Sequence, residues 1–191
     1  MKIVHIFGSK SGPQEGEGLW AVEYEPDAGH AFREFFDQMA DPEWVYNFCL
    51  ENLADLEAKF GYSITAEEAA DELMQEALEL KAKIVSLAKG IPGKTLQDVF
   101  SPLYPSESDL VELQLSKGSV KSQSNNHNPK LRIYGVRISP MTFVVTGGAI
   151  KLTDEMKDRK HTDDELKKMK KVRNWLKDEG VYFPGDLISL P

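Results

Sequence analysis

The apolar residues of this chain change period partway along it, from helical to alternating, and that change bounds what it can fold into. Phe32, Phe35, Phe36 and Met39 recur at i, i+3, i+4 and i+7, which predicts a helix over Ala28–Met39 with one apolar face. Asp41 and Pro42 then supply an N-cap and a first helical residue. The helix they open is expected to bury Val45, Phe48, Cys49, Leu53, Leu56 and Phe60 and to stop at Gly61. Thr65 and Glu68 form a capping box for a long third helix that ends near Gly90. Its stripe reads Ala70, Leu73, Ala77, Leu78, Ile84 and Leu87.

Short β-rich runs lie on both sides of this helical block. Lys2–Phe7 and Leu19–Glu25, joined by the Gly/Ser-rich Gly8–Gly18, predict an opening strand or loose hairpin. Leu110–Leu115 alternates apolar and polar residues, as a half-buried strand does. Lys117–Pro129 is polar and predicts a long loop. Lys130–Ile138 and Thr142–Ala149 are two further strands about a turn at Ser139-Pro140. A last helix, about 163–179, is expected to start with a capping box of Thr162 and Glu165 and to close at Gly180. Its apolar stripe is Leu166, Met169, Val172, Trp175 and Leu176. The reading is a single α+β domain over 1–191, a small antiparallel sheet with helices packed on one face.

Charge is as unevenly distributed as hydropathy. Met1–Leu115 holds 8 Lys+Arg against 22 Asp+Glu, whereas Ser116–Pro191 holds 15 against 9. The net charge of −8 argues against nucleic acid as a partner of the whole surface, but the segregation leaves a locally basic face available. The plain alternative is a solvated basic helix beside acidic ones. Cys49 is the one cysteine, which excludes an intrachain disulfide and a multi-cysteine zinc site, and its helical register predicts a buried thiol. No apolar run approaches the length of a membrane span, and Met1–Gly8 is too short for a secretory core, so a soluble cytoplasmic chain is expected.

Hydrolase and nucleotide motifs such as GxSxG or a phosphate loop are missing from the sequence. Gly147-Gly148 lies within a strand pattern and predicts a bulge or a close backbone approach. Asp163, Asp164 and Glu165 suit the first turn of a helix better than a metal, and no cofactor is expected. The basic strand residues carry more. Arg132 and Tyr134 share one strand face, Arg137 points to the other unless a bulge intervenes, and Lys151, Lys157, Arg159 and His161 follow the last strand. Cations beside an aromatic ring suit single-stranded RNA, where Lys or Arg stabilises a phosphate and His or Tyr moves a proton. The candidates for catalysis are Arg132, Lys151, Arg159 and His161. The candidates for binding are Tyr134, Arg137, Lys157, Lys167, Lys170 and Lys171. The alternatives are that Arg132 and Arg137 pair with acidic helices and that His161 packs against Leu166. A DNA-binding use of the last helix has only Arg173 and Asn174 as base readers.

The segment Leu131–Leu176, LRIYGVRISPMTFVVTGGAIKLTDEMKDRKHTDDELKKMKKVRNWL, resembles the C-terminal half of RelE/HigB/ParE-type toxins. There an arginine-bearing strand leads into an apolar strand, a lysine-rich turn and a helix, and the preceding helices fit the family's element order. The resemblance implies a RelE-like fold enlarged by a helical insertion at about 62–92. It also implies a ribosome-dependent mRNA endoribonuclease that needs no metal and is neutralised by an antitoxin protein. By position, Arg132 matches the strand arginine and Lys151 the first basic residue after the last apolar strand. Leu152 stands where a second basic residue is common, and Tyr182 is the nearest counterpart of a C-terminal tyrosine. Those departures keep open a non-enzymatic interaction module on the same scaffold.

Overall fold

A computed structural model of the chain describes residues 1–8, 15–26, 28–61, 63–104, 113–120 and 129–190, without the Phe60 side chain. The strands are β1 (Lys2–Gly8), β2 (Gly18–Glu23), β3 (Phe100–Pro102), β4 (Gln114–Gly118), β5 (Leu131–Ser139) and β6 (Thr142–Ile150). The helices are α1 (Ala31–Met39), α2 (Pro42–Glu51), α3 (Leu53–Phe60), α4 (Ala66–Ala88) and α5 (Lys160–Asp178). The strands form one sheet in the order β1-β2-β6-β5-β4-β3. Neighbours are antiparallel except β2 and β6, which run parallel from Gly18↔Thr142 to Ala21↔Val145.

The α+β class stands, with more strands than the three central ones and the opening hairpin. Contrary to the expectation of helices on one face, the sheet is covered on both. Leu19, Ala21, Leu131, Ile133, Phe143 and Val145 face α1, α2 and α4, in a core with Phe32, Phe36, Leu73 and Leu80. Trp20, Val22, Leu115, Tyr134, Val136 and Val144 face α5 through Leu166, Met169, Val172 and Leu176. The physical reason lies in β6, whose Phe143, Val144 and Val145 are buried in succession. A strand apolar on both faces needs a layer on each.

Several local expectations shift for identifiable reasons. The helix read through to Gly61 breaks at Asn52, whose side-chain amide donates to the Phe48 carbonyl at 2.8 Å, so α2 and α3 are separate. The Thr65–Glu68 box caps α4, with Glu68 N–H on Thr65 Oγ1 and Thr65 N–H on Glu68 Oε2. Leu78 lies outward on α4 at 63% exposure, and Leu80 takes the inward place with Leu73, Ala77 and Ile84. Strand β4 begins where the Leu110–Leu115 strand was expected to end, and Leu110, Val111 and Glu112 lie outside the described residues, as do residues 121–128 of the expected loop. Helix α5 starts at Lys160, so Thr162 and Glu165 do not cap it. Instead the buried Thr162 hydroxyl donates to the carbonyls of Met156 and Arg159.

Strand β5 is fixed to α4 by one buried carboxylate. Glu76 Oε1 accepts the Leu131 N–H at 2.8 Å and Oε2 accepts the Lys130 N–H at 3.1 Å. These are the first backbone donors of the strand, and water is excluded from them, so the carboxylate replaces a missing strand partner. Burial pushes the Glu76 carboxyl above its ordinary range, while the two N–H groups and Lys130 act in the opposite direction.

Two substitutions test this framework. Glu76→Gln places an amide donor against one of the two N–H groups and is expected to cost about 1–3 kcal/mol in urea unfolding. Thr162→Val keeps the shape but removes both hydroxyl bonds and is expected to cost about 1 kcal/mol. An unchanged midpoint for either variant contradicts the corresponding contact.

Candidate nucleic-acid interface

Three cations meet on the α5 side of the sheet, beyond the part that the helix packs. Lys117 lies opposite Tyr134 in the β4–β5 register, and Arg132 lies two residues before Tyr134 on the same face of β5. Lys151 follows β6, where its N–H donates to the Lys130 carbonyl at 2.7 Å and continues the β5 pairing. Ala149 packs with the α5-side core, so Lys151, two residues on, belongs to the same face.

The charges sense one another. Lys151 is held below the ordinary lysine range first by burial, then by Arg132, Lys117 and Lys59. Lys117 is lowered by burial and by Arg132. Arg132 is lowered by burial, while Glu76 acts to stabilise its charge. The Arg132 guanidinium donates to the carbonyls of Pro129 and Leu131 at 2.8 and 2.7 Å, which fixes it across the end of β5. Lys117 Nζ donates to the Leu103 carbonyl at 3.4 Å. Among the described residues none of the three cations forms an ion pair. Glu76 favours the charge of Arg132 and Asp154 that of Lys151, and an oxyanion arriving at this half-buried positive trio would act in the same sense, which makes it an anion-binding arrangement.

Of the residues expected at the site, Arg132 and Lys151 are thus brought together, and Lys117 joins them. Sequence reading placed Lys117 in the loop, although Leu113, Leu115 and Lys117 continue one alternation. Tyr134 is not available to stack on a base, since its ring is 1% exposed in the α5-side core. Its hydroxyl has no hydrogen-bond partner among the described residues, and burial pushes its ionisation upward. Arg137 is one residue beyond Val136, whose side chain lies on the α5 side, so it turns to the opposite face, where it reaches Gln114 Oε1 at 3.4 Å. The irregularity opposite Gly135 falls in β6, at Thr146, and leaves the alternation of β5 intact.

Arg159 and His161 are held in structural contacts. The Arg159 guanidinium clasps the Asp55 carboxylate with three contacts of 2.6–2.8 Å and ties the start of α5 to α3. His161 Nε2 lies 2.8 Å from the Ile150 carbonyl, and its ring packs edge-on against Phe48 rather than stapling to Leu166. Lys157 is exposed on a 3-10 turn, Met156–Asp158. On α5, Lys167 pairs with Asp163 and Asp164, and Lys170 and Lys171 are exposed. Cys49 is buried and its thiol is pushed up to about 11 by burial. Among the described residues no helix is long and apolar enough to cross a membrane.

Comparison with family models, with curated proteins and with solved structures found no match for this chain.

The electrostatic coupling of the trio is directly measurable. In an NMR titration the Lys151 side chain is expected to lose its proton below the ordinary lysine pKa of about 10.4. Arg132→Gln removes the largest charge acting on it and is expected to move that titration upward. A Lys151 pKa that is ordinary in the wild type and unmoved in the variant contradicts the cluster.

Proposed function

We propose that this protein acts on RNA in the cytoplasm as a toxin-type, ribosome-associated mRNA endoribonuclease. The observation that carries the reading is the convergence of Lys117, Arg132 and Lys151, without an ion pair among the described residues and with Arg132 acting to lower both lysines. A phosphodiester seated there meets the charges of Arg132 and Lys117 and the amine of Lys151. Because its pKa is lowered, Lys151 is uncharged for a larger fraction of the time than an ordinary lysine, so it can accept a proton. In this mechanism Lys151 takes the proton of the 2′-hydroxyl as its oxygen attacks the adjacent phosphorus. The bond from phosphorus to the 5′ oxygen breaks, giving a 2′,3′-cyclic phosphate and, as the leaving oxygen takes a proton from solvent water, a 5′-hydroxyl end. Arg132 and Lys117 stabilise the charge that grows on the phosphate. No metal is invoked in this chemistry. An antitoxin protein is the expected partner, by the resemblance of Leu131–Leu176.

A second reading, an interaction module without nuclease activity, is favoured by the commitment of Arg159 and His161 to Asp55 and to the Ile150 carbonyl. Expression of the chain alone separates the two. Growth arrest with cleaved cellular transcripts, read by primer extension, is expected of the nuclease. Arg132→Gln or Lys151→Gln is then expected to lower cleavage by about 100-fold or more, the usual effect of removing a preorganised oxyanion donor in the first case and a positioned general base in the second. Lys170→Gln, at an exposed and salt-screened position, is expected to change it by less than about threefold. Normal growth with intact transcripts at high expression overturns the nuclease reading and leaves the interaction module.

A further inference from the structure

Past Val145, β6 has a strand neighbour on one side only. Strand β2 pairs as far as Val145 and ends at Glu23, leaving Thr146–Ile150 beside β5 alone among the described residues. The direction of the open backbone groups follows from Lys151, whose N–H points to β5. Alternation therefore turns the N–H and C=O of Ile150 and Gly148 the other way, toward the open side. On that side the Tyr24 hydroxyl donates to the Thr146 carbonyl at 2.7 Å, and His161 Nε2 caps the Ile150 carbonyl at 2.8 Å. Between these two caps no side chain among the described residues bonds to Gly148.

The open edge is the floor of a cleft. Its walls are α1 and α2 on one side and the first turns of α5 on the other, around two adjoining cavities of about 290 and 260 Å³. Glu165, 6% exposed, accepts from Lys168 Nζ at Oε1, 2.7 Å away, and its Oε2 has no hydrogen-bond partner among the described residues. A Cβ at Gly147 would meet that oxygen, so the glycine is what lets the carboxylate lie against the strand. Glu34 and Asp164 also line the cavities; Asp164 is paired with Lys160 and Lys167, which leaves Glu34 and Glu165 as the carboxylates beside the single ammonium of Lys168. The opposite wall carries Trp44 and Phe48, stacked at 5.5 Å, beside Glu34 and Gln38 of α1. A buried acceptor without a donor is costly, and an unpaired strand edge is a template for another strand.

We propose that this cleft binds an extended basic peptide segment of a partner protein by strand addition to β6. The peptide backbone exchanges hydrogen bonds with Gly148, whose missing side chain leaves the Phe35 ring as the local wall. Strand alternation sends successive side chains to opposite walls. An arginine or lysine then reaches Glu165 Oε2, and its neighbours in sequence, directed the other way, pack on Trp44 and Phe48. The required pattern is an alternation of basic and apolar residues. An acidic segment is refused by the same carboxylates, and a helix cannot offer its backbone to Gly148.

The test uses the full chain and a library of acetylated, amidated hexapeptides. Enriched sequences are expected to alternate basic and apolar residues, and the tightest is expected to shift the Gly148 amide resonance in a 15N-labelled sample. N-methylation of that peptide's central amides, which leaves the protein untouched, is expected to weaken binding at least tenfold. Glu165→Gln is expected to weaken it similarly and to relax the preference for Arg and Lys. Enrichment of acidic or uncharged sequences, an unmoved Gly148 amide, indifference to N-methylation, or no enrichment at all overturns the proposal. None of these readouts involves RNA, so the outcome is independent of nuclease activity.

Discussion

Strand β6 is the constraint on which the remaining structure depends. It is central in the sheet, parallel to β2 on one side and antiparallel to β5 on the other, and is apolar toward both faces. Covering one face takes the early helices, with Phe35 laid against Gly148. Covering the other requires a helix that returns after β6, which is α5. The connection that makes this return passes through Lys151, Arg159 and His161, so the basic end of the sheet is a consequence of how β6 must be enclosed. Its parallel pairing with β2 extends over only part of its length, and the remainder opens the cleft beside Glu165.

Charge is placed by the same geometry. The acidic first half supplies α1–α4, and its carboxylates reach across to the basic half, Glu72 lying 3.9 Å from Lys130 Nζ. Asp55 holds Arg159, and Glu76 holds the backbone at Lys130 and Leu131. Lys117, Arg132 and Lys151 form no ion pair among the described residues, and there a sequence with net charge −8 keeps a small half-buried cationic site. Lysines on α5 serve differently, since Lys160, Lys167 and Lys168 are paired within their own helix.

Element type was largely legible in the sequence because periodicity reports it directly, as the stripe Phe32–Met39 and the Thr65–Glu68 box demonstrate. Tertiary consequences were less legible. The run Phe143–Val145 carries the signature of a strand buried on both faces, but adjacency of apolar residues does not say which helix supplies the second layer. Glu76 reads as one more acidic residue on an acidic helix, and only the fold shows it facing backbone donors on β5. Tyr134 has the residue type of a base-stacking platform and the position of a core residue; alternation with Val136 was the available signal. Lys117 was missed because Ser116 and Gly118 make a strand look finished. Thr162 and Glu165 matched a capping pattern, yet the helix starts earlier and each has a separate buried role.

The central claim is that Lys117, Arg132 and Lys151 form one phosphate-binding site. The direct measurement is the salt dependence of single-stranded RNA binding by the wild type and by the combined Lys117→Gln, Arg132→Gln, Lys151→Gln variant. Each phosphate contact on a single strand contributes a slope of about 0.7 in log affinity against log salt. The account predicts weaker binding by the variant and a slope lower by about 0.7–2, as one to three contacts are lost. Equal affinities and equal slopes for the two proteins would contradict it.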